Sequence, residues 1–139
     1  MTLLEYMGRL IATAVNGQFS TDAPLTGNLP VMLGDLSASF PRGIGLMPYA
    51  IENGGYLARD TEGFQVRYRG TFAQVMNMKS KVFDNLQGLH RPETPPDASF
   101  QVEQVLRMSS GSLGYDANKR LNWTENYYVQ VWQSTRHRL

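Results

Sequence analysis

From Phe64 to Gly70 the chain alternates apolar and polar side chains, FQVRYRG. Successive residues of a strand point to opposite faces, so this stretch predicts a strand with Phe64, Val66 and Tyr68 in a core and Gln65, Arg67 and Arg69 on the other side. A second alternating run, LNWTENYYVQVW, predicts a longer strand from Leu121 to Trp132. Its apolar face carries Leu121, Trp123, Tyr127, Val129 and Val131, and its polar face Asn122, Thr124, Asn126, Tyr128 and Gln130; Glu125 alone interrupts the apolar one. Shorter runs predict further strands: LPVML from Leu29, LMPYAI from Leu46, YLARDT from Tyr56 and, with weaker alternation, FQVEQVLRM from Phe100. Asn53-Gly54 between the second and third of these predicts a hairpin turn, because the favoured two-residue turn needs positive φ at both central positions.

Two segments change period. Leu3, Met7, Leu10 and Ala14, with Leu4 and Ile11 beside them, recur at helical spacing; Thr2 can cap that helix and Gly17 can end it. From Thr71 onward, Phe72, Val75, Met76, Val82, Phe83, Leu86 and Leu89 lay an apolar stripe along a second helix, interrupted by Lys79, with Met78 also expected in its core. Between these elements QFSTDAPLTGNLP reads as a loop, GDLSASFPRGIG as a long mobile excursion, HRPETPPDAS as a stiff proline-rich connector, and SSGSLGYDANKR as a loop with a turn at Asp116–Lys119. The order helix, strands, helix, strands predicts an α+β fold: a mainly antiparallel sheet of about 4–6 strands with two helices packed on one face and long loops. With no repeat and no composition shift, a single domain over residues 1–139 is expected.

Composition narrows the function classes. A chain of 139 residues buries roughly 68% of the surface its unfolded form exposes, enough for one core. The net charge of +1 argues against a protein built chiefly to neutralise phosphates. Ten of its 13 basic residues are arginine, the cation favoured in protein contacts, and 7 Tyr and 7 Met add residue types common in such patches. The absence of cysteine removes disulfides, thiolate metal sites and cysteine nucleophiles. Glu5 and Arg9 inside the first apolar stretch predict neither a secretion signal nor a membrane span there.

No catalytic motif stands out. His90 and His137 lack the spacing of a zinc site, GSLG is not a nucleophile elbow, and no glycine-rich loop leads into Lys-Ser or Lys-Thr. The carboxylates Asp84, Glu93, Asp97, Glu103, Asp116 and Glu125 read as solvated surface charge. The chain is therefore expected to be no enzyme and to need no cofactor or metal. The Arg67 and Arg69 face admits two functional uses besides plain solvent exposure. One is a protein contact; the other is a small nucleic-acid-binding module, with exposed Tyr128 as a stacking platform.

The N-terminal amphipathic helix, the strand QVRYRG, the helix end VFDNLQGL and the run LGYDANKRLNWTENYYVQV together resemble the tail terminator, or minor capsid, proteins of long-tailed bacteriophages. The resemblance spans most of the chain and is sharpest at Gln65–Gly70, Leu86–Leu89 and Leu113–Val131; residues 18–45 contribute nothing to it. It implies a non-enzymatic virion protein that forms a homo-hexameric ring on the head-proximal end of the tail tube, ends tube growth and offers a docking surface to the head connector or head completion protein. Its location would be the neck of the virion, and the host cytoplasm during assembly, with no membrane partner. On that reading Gln65, Arg67, Arg69, Arg120 and Tyr128 are expected at a subunit interface or along a lumen that genomic DNA passes. Asp35, Ser37, Phe40, Arg42, Arg91, Asp116 and Lys119 are expected in loops that dock the tube or the connector.

Overall fold

The computed structural model describes residues 1–21, 29–53, 59–89 and 100–133. Helix α1 (Leu3–Val15) begins with a capping box in which Thr2 Oγ1 accepts from the Glu5 N–H at 3.1 Å and Glu5 accepts from the Thr2 N–H at 3.3 Å. Asn16, not Gly17, supplies the left-handed residue that ends it, at φ 56°, and the Gly17 N–H reaches the Ala12 carbonyl at 2.8 Å. The buried face is turned from the expected one: Tyr6, Met7, Gly8, Ile11, Ala12 and Val15 are buried, while Leu3, Leu4 and Leu10 flank the core. The packed stripe follows the sheet below it, and the large residues at its margins are only partly covered.

The strands are β1 (Gln18–Ser20), β2 (Pro30–Leu33), β3 (Gly43–Asn53), β4 (Arg59–Gly70), β5 (Phe100–Tyr115) and β6 (Leu121–Gln133), and helix α2 (Phe72–Leu86) lies between β4 and β5 in sequence. They form a six-stranded sheet in the order β1-β2-β3-β4-β6-β5, with β1, β2 and β3 parallel and the remaining pairs antiparallel. This is the expected α+β class. Both helices cover one face, where Phe64, Val66 and Tyr68 of β4 meet Tyr127, Val129 and Val131 of β6, together with Val75, Met78, Val82 and Leu86 of α2. β3 and β4 pair as far as Asn53 and Asp60, with an irregularity between Pro48 and Ile51. The expected turn residue Gly54 and the connector HRPETPPDAS lie outside the described residues.

Three expectations change. Gln18–Ser20, within a segment read as loop, pairs with β2 as a short parallel strand. YLARDT and FQVRYRG, read separately, contribute to one continuous strand. SSGSLGY, also read as loop, extends β5 to Tyr115, so that only Asp116–Lys119 turns. Serine and glycine carry little strand propensity, and pairing with β6 imposes the conformation here, with register shifts between Arg107 and Ser109 and between Ser112 and Gly114. In α2, Phe72 is 60% exposed and Met78 takes the expected place in the core. No helix among the described residues is long and apolar enough to cross a membrane.

Candidate functional site

The helix-free face of the sheet displays the polar halves of the alternating strands. Gln65 on β4 donates to Asn126 on β6 at 3.2 Å, and Asn126 donates to Ser109 on β5 at 2.8 Å, a hydrogen-bonded row across three strands. One row toward the Gly70 end of β4, Arg67 lies opposite Thr124, and its Nη1 is 3.9 Å from Asp35. Arg67 Nε and Thr124 Oγ1 are buried without a hydrogen-bond partner.

The next row closes a corner. Residues 34–42 return over the helix-free face, with Leu36 buried against Gly43 and Gly45. A side chain at Gly45 would put its Cβ 2.7 Å from the Gly34 carbonyl oxygen, so this close approach requires glycine. Arg69 Nη1 donates to the Ser37 carbonyl at 2.9 Å and its Nε to Asn122 at 3.2 Å. Arg120 Nη1 donates to the carbonyls of Ala38 at 2.8 Å and Phe40 at 3.0 Å, while its Nε binds Asp116 at 2.9 Å. Two guanidinium groups thus hold the main chain of the excursion that its serine- and glycine-rich sequence marks as mobile. Burial, and then the nearby charge of Arg120, lower the Arg69 pKa from its ordinary value. The Asp116 pKa is lowered too, here because its charged form is favoured: the Arg120 N–H, Asn122, the Arg120 side chain and the Asn118 N–H all donate to its carboxylate and hold its pKa down to about 2.

The expected interface residues and loop residues therefore converge. Arg67, Arg69 and Arg120 meet Asp35, the carbonyls of Ser37 and Phe40, and Asp116 at one corner, with Arg42 and Lys119 on the neighbouring cleft. Tyr128 is not part of this corner. The Gln65–Asn126 row lies between it and Arg67, and its ring approaches Tyr49 at 6.4 Å instead. Arg91 lies outside the described residues.

Glu125 corrects the reading of the carboxylates as surface charge. It is fully buried and accepts from Tyr68 at 2.9 Å, Ser110 at 2.7 Å and Arg107 at 3.0 Å. The guanidinium of Arg107 also lies 4.1 Å from the Phe83 ring centre, tying α2 to β5. The sequence signal for this cluster was the single acidic residue on an otherwise apolar strand face. Its partners come from β4 and β5, which alternation alone could not assign.

No protein-family model matches the chain, and no curated protein matches it. Among solved structures, the chain is similar to a chain of a particle titled "Virion of native gene transfer agent (GTA) particle", with a TM-score of 0.59 and 12% identity over 88% of this chain and 84% of that one. At this identity the likeness shows a shared fold.

Proposed function

We propose that the protein is a structural component of a phage-like virion, and specifically a tail terminator. In this role it forms a homo-hexameric ring on the head-proximal end of the tail tube, stops tube polymerisation and presents a docking surface to the head connector or head completion protein. The observation that carries this reading is the fold shared, over 88% of this chain, with a chain of a gene transfer agent virion. The motif resemblance in β4, α2 and β6 narrows it to the terminator.

A closed ring needs two different complementary patches on each subunit. The structure offers two surfaces of unlike chemistry. One is the polar, arginine-bearing face of β4 and β6 with its anchored loop. The other is the far half of the edge strand β5, where Met108, Leu113 and Tyr115 are 57%, 52% and 63% exposed. The segment after α2 covers the other half of that edge, through the Gly88 N–H to the Val105 carbonyl at 2.8 Å and the Arg107 N–H to Gln87 at 2.8 Å. Subunit contacts then use Gln65, Arg67 and the β5 edge, while residues 35–42 and the Asp116–Lys119 turn face the tube or the connector. The nucleic-acid reading has less support, because Arg69 and Arg120 spend donors on the protein's own carbonyls and Tyr128 stands apart from them.

Native mass spectrometry over a range of protein concentrations tests the ring. A hexamer is expected as concentration rises, and a stable dimer that persists throughout would count against it.

A further inference from the structure

β5 and β6 shift register at a point where the same pairing could run on without a break. Gln104, Val105, Leu106 and Arg107 lie opposite Gln130, Val129, Tyr128 and Tyr127; Met108 then has no opposite number on β6, and Ser109, Ser110 and Gly111 lie opposite Asn126, Glu125 and Thr124. A bulge of this kind re-aims one side chain, and Met108 is exposed. Continuing the register of Gln104–Arg107 would instead set Met108 opposite Asn126, Ser109 opposite Glu125 and Ser110 opposite Thr124. The displaced residue would be taken up beside Leu113, where the ladder is already interrupted before Gly114.

The helix side of the sheet does not choose between these registers. There the Ser110 hydroxyl donates to Glu125 at 2.7 Å and accepts from the Trp123 indole N–H at 2.8 Å, and the continued register puts another serine, Ser109, in the same place. Arg107 lies opposite Tyr127 in both and keeps its 3.0 Å contact with Glu125. The helix-free side does choose, in two opposing directions. Asn126, whose side-chain oxygen accepts from Gln65 at 3.2 Å, donates to Ser109 at 2.8 Å, and Met108 in that position would forfeit this bond. Thr124 pulls the other way. Its buried Oγ1 has no hydrogen-bond partner, the residue opposite, Gly111, has no side chain to offer one, and the continued register would supply the Ser110 hydroxyl. A buried hydroxyl left unpaired costs at least as much as a typical hydrogen bond returns, so the two registers lie close in free energy.

We propose that Met108–Ser112 is a two-register element, held in the observed register by Asn126 and drawn toward the other by Thr124. The serine- and glycine-rich sequence permits this, because no buried apolar side chain in that segment fixes which face is which. The change would move Met108 from the bulge onto the helix-free face, in one row with Met47, Gln65 and Asn126. A partner resting on that face binds the two registers unequally, since only one presents Met108 within the row, and so selects between them. The inference holds whether or not the chain forms a ring.

Nuclear Overhauser contacts across β5 and β6 test this in the full chain, because facing residues of an antiparallel pair bring their main-chain protons together. In the wild type Thr124 should contact Gly111. In Asn126→Ala the dominant contact of Thr124 should pass to Ser110, with the contacts of Gln104–Arg107 to β6 unchanged. Asn126→Leu, which suits a strand better than alanine, should do the same and keeps the test open if the alanine variant folds poorly. Adding Thr124→Val to Asn126→Ala removes the hydroxyl that favours the other register, so residue 124 should return to Gly111, a reversal that mere loosening of the edge would not produce. Retention of the Gly111 contact in both Asn126 variants, loss of both contacts, or a double variant that stays on Ser110 would each overturn the proposal.

Discussion

Tyr68 on β4 donates its phenolic hydroxyl to Glu125 on β6 at 2.9 Å, with both side chains fully buried. The pair sits between the sheet and α2, and Arg107 completes it from β5 at 3.0 Å. Burying an ion pair is a poor source of stability, but removing one partner leaves the other charge stranded. Arg107→Ala should therefore destabilise the fold by about 3–5 kcal/mol in urea denaturation. Adding Glu125→Gln to that variant should recover part of the loss, and a purely additive outcome would show that the two side chains do not interact.

Tyr68→Phe should cost about 1–3 kcal/mol, the scale of a buried acceptor that loses a donor. It should also change the alkaline limb of stability. Burial first, and then the Glu125 charge, raise the Tyr68 pKa well above its ordinary value, and Tyr127 is raised for the same reasons. A group whose folded pKa is raised stabilises fully below its unfolded value and loses that contribution as pH climbs toward the folded one. Melting temperature should thus fall as pH rises above about 10, less steeply in Tyr68→Phe, with Tyr127 accounting for the remaining slope. Identical slopes in the two proteins would contradict the burial of Tyr68.

Asp116 predicts the acid limb. Its carboxyl is held down to about 2, so its contribution is present above the ordinary aspartate range and is lost as pH falls toward 2. Thermal melts from pH 5 to pH 2 should decline less in Asp116→Asn than in the wild type. Hydrogen exchange should show the β5–β6 turn opening over the same interval.

Removing Arg69 should loosen residues 35–42 more than the core. The lost hydrogen bonds to the Ser37 and Phe40 carbonyls, at 2.9 and 3.4 Å, are worth about 1 kcal/mol together at this partly exposed position. Arg69→Ala should raise amide exchange in that loop by about fivefold, leaving α2 and β6 beyond Asn122, to which Arg69 Nε also donates, unchanged. Equal effects in loop and core would mean that the arginine supports the sheet as a whole.

Much of the fold is legible in the sequence because its strongest periodicities belong to its best-packed elements. FQVRYRG and LNWTENYYVQVW show their faces directly, and β4 and β6 lie side by side in the middle of the sheet. What stayed hidden depends on neighbours distant in sequence. The far half of β5 is a strand because β6 pairs with it, and Gln18–Ser20 is one because β2 does. Phe83, on the expected stripe of α2, is only partly buried and receives Arg107 on its ring, so Phe83→Ala should cost less than Leu86→Ala at a fully buried position. The candidate site was legible as a list of arginines. That Arg69 and Arg120 would spend donors on residues 37–40 required contacts across 29 to 82 positions of chain.

Arg67 separates folding from assembly. Among the described residues its ion pair is to Asp35, 3.9 Å long and partly exposed, and its buried Nε has no hydrogen bond to lose, so Arg67→Glu should change monomer stability by under about 1 kcal/mol while reducing the proposed hexamer in native mass spectra. Unfolding of the monomer would make the residue structural.

The proposed terminator role is tested most directly by electron microscopy of the phage-like particles made by the source of this chain after its gene has been deleted. Overlong or unjoined tails beside filled heads are the predicted result. Normal, joined virions would contradict it.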